Sequence, residues 1–408
     1  MNRANTPGTT SARSPYDKVV ELRPRQANTG DGLPTRALRT LFVIDELDIG
    51  GTEQQILELT RRIDRRRFEP VVCCFRHGAK AREIESLGIR VLHEPKSLKA
   101  DPGLVVRLAR MMRRERFDIV QTYLWGANTW GRIAARMAGV PHVLASERNV
   151  DIWEERYKRV LGRLLARGTD RIVANSEAVR SYLLTQGVSP DKVVTIYNGV
   201  NFDRFRKPCD PAIRRAELSI PPDAILAGTV ARVEPAKDHG TLLRAMALIA
   251  ERVPRLHLAV VGGGSELDTL RELARELGIG DRVHFTGPRT DAAEWLQTVD
   301  FSVLSSVKEG LSNTVLESMA AGRAMIATDV GGNAEVIVEG ETGYLVPARD
   351  PAALSQAIAR LAVSDERIRE FGRLGKDRVH DLFSVERMVE RTQGLYLSIS
   401  SAGARVAA

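Results

Sequence analysis

The chain has 408 residues, 43% of them hydrophobic, which suits two cored domains better than one. Aromatic residues make up only 5%, excluding a binding surface built from rows of stacking rings, and the three cysteines (adjacent Cys73-Cys74, and Cys209) form neither a C-x-x-C motif nor a disulfide framework, so a reducing compartment is expected. Charge is uneven: residues 1–207 hold 37 Lys+Arg against 24 Asp+Glu, net +13, while the remainder is net −5, which points to an anionic partner for the first half, either nucleic acid or an anionic membrane surface.

Residues 1–37, rich in Pro, Arg, Thr and Asn, read as a disordered leader without a signal-peptide core, and no apolar run reaches membrane-spanning length, so a cytoplasmic protein is expected. The first strand is read at 38–44, followed by D-E-L-D-I-G-G-T-E and a helix from 54 to 62. Adjacent Gly50 and Gly51 let backbone approach a ligand at a helix start, although a tight turn with no ligand is the plainer reading of two glycines alone. Strands at 71–75, 89–92, 118–122, 142–145, 171–175 and 192–196 alternate with helices at 79–87, 103–116, 127–138, 153–166 and 177–186. Such alternation indicates a parallel sheet covered on both faces. The helices at 103–116 and 153–166 are both amphipathic and basic; a solvated face is the plainer reading of either alone, while the two together in a half of net +13 suggest a peripheral contact with anionic lipid.

After Tyr197 the pattern leaves periodic structure, and Pro208, Pro211, Pro221 and Pro222 place a domain boundary near residues 205–206. The second half restarts with a strand at 224–230. It continues through strands at 256–261, 283–285, 301–304 and 324–328, with helices at 241–251, 265–277, 291–297 and 351–361, and a hairpin-like stretch at 336–346. The economical architecture is α/β, with two doubly wound parallel-sheet domains facing across a cleft.

Three strand-end loops of the second half carry the chemistry. Arg232 and Lys237 follow the 224–230 strand, and a guanidinium and an ammonium there suit a diphosphate. The stretch S-S-V-K-E-G-L-S-N-T-V-L-E-S-M-A-A-G at 305–322 joins a strand to a helix, with Glu309 placed for hydroxyl binding or support of a cationic transition state. Thr314-x-x-Glu317 fits a capping box and equally a carboxylate receiving a ribose diol. No His/Asp/Glu cluster has metal-ligand spacing, and G-x-x-x-x-G-K-[ST] is absent, which argues against a P-loop enzyme.

Taken in order, D-I-G-G-T-E, V-A-N-S-E-A-V at 173–179, Y-N-G-V-N-F-D-R-F at 197–205, A-R-V-E-P-A-K-D-H-G at 231–240, E-G-L-S-N-T-V-L-E-S-M-A-A-G at 309–322 and D-V-G-G-N-A-E at 329–335 closely resemble retaining glycosyltransferases of family 4, over residues 38–398. That resemblance implies the GT-B fold, with an N-terminal acceptor-side domain at 38–205, a C-terminal nucleotide-sugar domain at 206–383, and a last helix at 384–398 crossing back to the first. It implies that Arg232 and Lys237 bind the diphosphate of a nucleotide-sugar co-substrate, with no metal and no other cofactor. Glu309 would touch the donor sugar, Glu317 the ribose, and the backbone of Gly310, Leu311, Ser312 and Asn313 the phosphate or sugar. Gly50 and Gly51 would face the donor from across the cleft. Where many relatives have a histidine on the acceptor side, this chain has S-E-R-N, so Tyr123, Glu147, Arg148 and Asn149 are the acceptor-side candidates. The expected partners are the donor, a saccharide or lipid-linked saccharide in cell-surface glycan assembly, and an anionic membrane surface. An epimerase or phosphorylase of the same fold, a nucleic-acid-binding protein, and a relative that binds without transferring are the alternatives. Few aromatics and no nucleic-acid motif argue against the second of these.

Overall fold

The computed structural model describes residues 36–97, 101–150 and 155–406, and side chains as far as residue 401. The leader read at 1–37 lies almost wholly outside the described residues, as does the start of the helix read at 153–166. The first sheet has seven parallel strands: β1 (Leu38–Glu46), β2 (Phe68–Arg76), β3 (Arg90–His93), β4 (Ile119–Tyr123), β5 (His142–Glu147), β6 (Arg171–Ala174) and β7 (Val193–Thr195), in spatial order β3-β2-β1-β4-β5-β6-β7. Six helices cross between them: α1 (Gly51–Arg62), α2 (Ala79–Ser86), α3 (Pro102–Glu115), α4 (Leu124–Ala138), α5 (Arg156–Arg167) and α6 (Glu177–Thr185). After α7 (Pro211–Glu217), the second sheet is built from β8 (Ile225–Val230), β9 (Leu256–Val261), β10 (Val283–Gly287), β11 (Phe301–Leu304), β12 (Ala324–Thr328) and β13 (Gly343–Val346), ordered β10-β9-β8-β11-β12-β13 and again parallel. Its helices are α8 (His239–Ile249), α9 (Leu267–Glu276), α10 (Ala292–Thr298), α11 (Asn313–Ala320), α12 (Asn333–Val336), α13 (Pro351–Ala362) and α14 (Asp365–Leu382), and α15 (Val385–Val406) closes the described chain.

Strand alternation explains the layering. Phe42, Ile44, Val72 and Cys74 project to one side of the first sheet, where Ile56 of α1 and Tyr396 of α15 join them. Leu41, Val43, Val71 and Cys73 project to the other, onto Leu104 and Leu108 of α3 and Ala134 of α4. The adjacent cysteines therefore belong to opposite cores, and both are free and buried. In the second sheet Leu258, Val260, Val303 and Ile326 pack on Leu242 and Met246 of α8 and on Leu354 and Ile358 of α13.

Each sheet reverses direction of growth beside its first strand, between β1 and β4 and between β8 and β11. Crevices at the carboxyl ends of strands open at such switch points, and the loops after β1, β8 and β11 line them.

Two readings of the chain change. The stretch at 336–346 is no hairpin: its apolar second arm is β13, which pairs in parallel with β12 after a turn held by Leu345 N–H donating to Glu339 Oε2 at 2.6 Å. The 18-residue α14, whose exposed face is densely charged, had no counterpart among the elements read from sequence.

Two chain crossings lie side by side at the junction of the two sheets. Val200 N–H donates to the Phe383 carbonyl at 2.9 Å, and Val385 N–H to the Val200 carbonyl at 3.1 Å. A Cβ on Gly199 would lie 2.4 Å from Val385 Cα, so only glycine allows the approach. From there α15 packs on the first sheet. Tyr396 stands edge-on to Phe68 at 5.7 Å and donates its hydroxyl to Gln121, while Gln393 accepts from Asp64 N–H at 2.7 Å.

Candidate active site

β11 delivers Ser305 and Ser306, both buried, to the carboxyl edge of the second sheet. Ser305 Oγ donates to the Lys237 carbonyl at 2.9 Å, fixing the loop after β8 against the loop after β11. Lys237 ends a short turn, Pro235–Lys237, and Asp238 follows in the left-handed region at φ 46° and caps α8. This geometry aims Lys237 Nζ at Glu309 Oε1, 2.6 Å away, where Ser306 Oγ also donates at 2.7 Å. The structure thus joins the ammonium and carboxylate that the sequence placed on separate loops. Arg232 stands exposed on the same edge and forms no ion pair among the described residues.

Ser312 is the N-cap of α11, its Oγ accepting from Val315 N–H, so the amides of this short helix open toward the cleft. Thr314 Oγ1 donates instead to the Val230 carbonyl at 2.9 Å. The capping-box reading of Thr314 and Glu317 is therefore wrong: Glu317 lies one turn further on and pairs with Arg204 of the segment linking the two sheets.

The first sheet supplies the opposing wall. Asn313 Nδ2 donates to the Gly51 carbonyl at 3.0 Å, bringing the starts of α1 and α11 together. Asn198 Nδ2 donates to Asn313 Oδ1 at 2.8 Å and to the Leu311 carbonyl at 3.2 Å, and Ser176 Oγ to the Gly310 carbonyl at 3.0 Å. Glu335 reaches across to accept from the amides of Glu177 and Ala178 at 2.9 and 2.8 Å, so a carboxylate of the second domain caps α6 of the first. A Cβ on Gly50 would strike the Glu53 carboxylate, which folds over that glycine. Burial pushes the Glu53 pKa up, while Arg232 and Arg148 pull it down. Three charged groups thus share the mouth of the cleft.

The acceptor-side candidates separate. Arg148 lies at the cleft, donating to Asn198, with its carbonyl against Gly310. Asn149 is half-buried beside it and accepts from the Val150 amide at 2.9 Å. Tyr123 is 3% exposed and belongs to the core with Phe42, its ring centroid 6.4 Å away. Glu147 is fully buried beside Arg132 and Asn128 of α4, so it is withdrawn from the acceptor side. Burial pushes its pKa from 4.5 up to about 7, opposed chiefly by Arg132, itself fully buried and pulled down to about 10.

A carboxyl group that holds its proton only when folded has a defined pH signature. Between about pH 4.5 and 7 the folded chain keeps a proton that the unfolded chain has lost. The stabilisation is complete below the unfolded value and is lost as pH rises through about 7. Urea unfolding should show wild-type stability falling relative to Glu147→Gln, on the order of 3 kcal/mol between pH 4.5 and 8. A difference that stays constant with pH would refute the assignment.

Glu53, Ser176, Asn198, Arg204 and Glu335 were not singled out from sequence. Ser176, Arg204 and Glu335 meet partners more than 100 positions away, Asn198 meets Leu311 and Asn313 at that range and Arg148 50 positions away, and Glu53 feels Arg232 of the other domain. All five lie inside the stretches that carry the family likeness, but nothing in their spacing names their partners.

Residues 224–364 match the model of glycosyl transferases group 1, and residues 49–204 that of glycosyltransferase family 4. Over 362 residues the chain is 31% identical to D-inositol 3-phosphate glycosyltransferase 2 of Catenulispora acidiphila, covering 80% of this chain and 84% of that one. The chain is a family 4 glycosyltransferase. A second relative of this transferase, the D-inositol 3-phosphate glycosyltransferase of Streptomyces scabiei, is 31% identical over 77% of this chain and 79% of its own. Among solved structures, Anabaena HepE in complex with UDP-glucose superposes with a TM-score of 0.80 at 20% identity, over 88% of this chain and all of that one. Sucrose-phosphate synthase from Thermosynechococcus elongatus gives 0.76 at 21% identity, over 90% of this chain and all of that one. The transferase therefore has the GT-B fold.

Proposed function

We propose that the transferase moves a hexose-type sugar from a nucleoside-diphosphate donor to a hydroxyl of a saccharide or lipid-linked saccharide, retaining the anomeric configuration and using no metal. The observation that carries this reading is the Lys237–Glu309 contact at the switch point of the second sheet, with Arg232 beside it and the start of α1 opposite. An ammonium has three protons, so Lys237 can hold Glu309 and a phosphate oxygen together. Arg232 adds a planar fork, and the amides after Gly310 add neutral donors. Glu309 then faces the donor sugar, where its charge favours a cationic transition state. Glu317, whose Oε1 is paired with Arg204, would receive the ribose hydroxyls at its other oxygen. For retention, the departing phosphate takes the proton of the attacking hydroxyl on the same face, so no protein base is needed.

HepE is solved in complex with UDP and with UDP-glucose, which favours a uridine donor. The inositol phosphate in the names of the relatives supports a second reading of the acceptor, and Arg148 at the cleft offers such a phosphate a guanidinium. The net charge of +13 over residues 1–207 supports work at the inner face of a membrane, in cell-surface glycan assembly.

Thermal unfolding with UDP-, GDP- and ADP-sugars tests the donor. At 100-fold excess over Kd the true donor adds about 2.7 kcal/mol, a rise of a few degrees in Tm. No rise with any of the three would remove the reading. Transfer assays with the stabilising donor, offering inositol 3-phosphate against oligosaccharides, then separate the two acceptors.

A further inference from the structure

The two basic amphipathic helices of the first domain look alike in sequence, but the fold treats them differently. Helix α3 buries Leu104, Val105, Leu108, Met111 and Met112 in the core, leaving its arginines on an ordinary solvated face. Helix α5 does the reverse. Only Gly162 and Ala166 are buried, while Tyr157, Val160 and Leu164 are 60%, 60% and 59% exposed. Their spacing of three and four places them in one stripe along the helix. Arg156, Arg159, Arg163 and Arg167, all exposed, repeat at the same spacing in the row beside it. Among the described residues the acid at this helix start, Glu155, is paired with Lys158.

We propose that this face of α5 is a docking surface for an anionic lipid bilayer, with Tyr157, Val160 and Leu164 entering the interface and the arginine row meeting the headgroups. The inference rests on the membrane reading above and gives it a place. An exposed apolar stripe flanked by arginines is the layout of a helix lying in a membrane interface. Charge decides the occupant. A second copy of the chain, pairing symmetrically through α5, would set arginine row near arginine row. The segment ahead of residue 36 carries Arg3, Arg13, Lys18, Arg23 and Arg25 against Asp17, Glu21 and Asp31, so it offers the helix no complement either. An anionic surface satisfies both rows at once.

The test is sedimentation of the full chain with phosphatidylcholine vesicles, with and without about 30 mol% phosphatidylglycerol. Wild type should partition at least about tenfold more strongly onto the anionic vesicles. Val160→Ser/Leu164→Ser should lose at least about tenfold of that binding, because each side chain gives up buried apolar surface. Arg156→Gln/Arg167→Gln should lose the lipid preference. Both variants should keep the wild-type Tm and the donor-induced rise in Tm. No anionic preference in the wild type would overturn the proposal, as would wild-type binding by the serine variant. A wild-type dimer that the serine variant turns into a monomer would make a second copy the occupant and overturn it too. Vesicle binding without any donor-induced Tm rise would leave the helix assignment standing and remove the donor reading alone.

Discussion

Lys237→Ala is expected to lower kcat/KM for sugar transfer by about 10²–10³, or about 3–4 kcal/mol of transition-state stabilisation. On the reading proposed above, the leaving diphosphate gathers negative charge beside Lys237, a cation fixed by its contact with Glu309. Its orientation is set in advance: the loop is pinned by Ser305 through the Lys237 carbonyl and turned by Asp238 in the left-handed region. A pre-set charge pays no reorganisation cost during reaction, so its removal is felt mostly in kcat. Lys237→Arg should restore little, because a planar fork cannot replace a compact ammonium wedged between a carboxylate and a phosphate. Initial rates with the stabilising donor, beside an unchanged Tm, measure this. Wild-type turnover in the alanine variant would remove Lys237 from the site.

Gly310→Ala should cost about 10² in kcat while disturbing donor binding far less. A Cβ there would lie 2.1 Å from the Arg148 carbonyl oxygen and 2.8 Å from Asn175 Oδ1, both on the opposite domain. The loop has no room to retreat. Behind it, Gly332 N–H donates to the Gly310 carbonyl at 2.7 Å, and a Cβ on Gly331 would already meet the Glu309 carbonyl at 2.1 Å. One methyl group must therefore hold the two domains apart. Arg232 and Lys237, proposed above to hold the donor, sit on the second domain alone and are left in place. Kinetics should show kcat falling with KM little changed, and solution scattering should show a larger radius of gyration. An alanine variant with wild-type kcat and dimensions would show that closure does not need this contact.

Much of the fold was legible because alternation of apolar strands with helices is a local signal. The second-domain site was legible for the same reason: Arg232, Lys237 and Glu309 each lie in a loop directly after a strand. Two misreadings turn on a partner that the local spacing does not show. Glu317 has capping-box spacing, yet Ser312 starts the helix and Arg204, 113 positions away, takes the carboxylate. The arm at 343–346 follows a turn that suggests a return, yet its partner is β12. Glu147 and Arg148 are different. Glu147 is the last residue of β5 and stays in the core, while Arg148 is the first residue beyond the strand, in the loop at the carboxyl edge, a boundary that the sequence reading places at residue 145.

The paired crossings at Val200 and Ser384 set what kind of machine this is. Two bodies joined by a single flexible thread can tumble, twist and slide past one another. Two bodies joined by threads laced together by backbone hydrogen bonds keep one easy motion, a swing about the line through the joint, as a door keeps its plane while turning on its pin. A swing of that kind would bring the edges of the cleft back to one register, with Glu335 at the amides of α6 and Asn313 at Gly51. Repeatability, rather than rigidity, is what the glycine at position 199 secures.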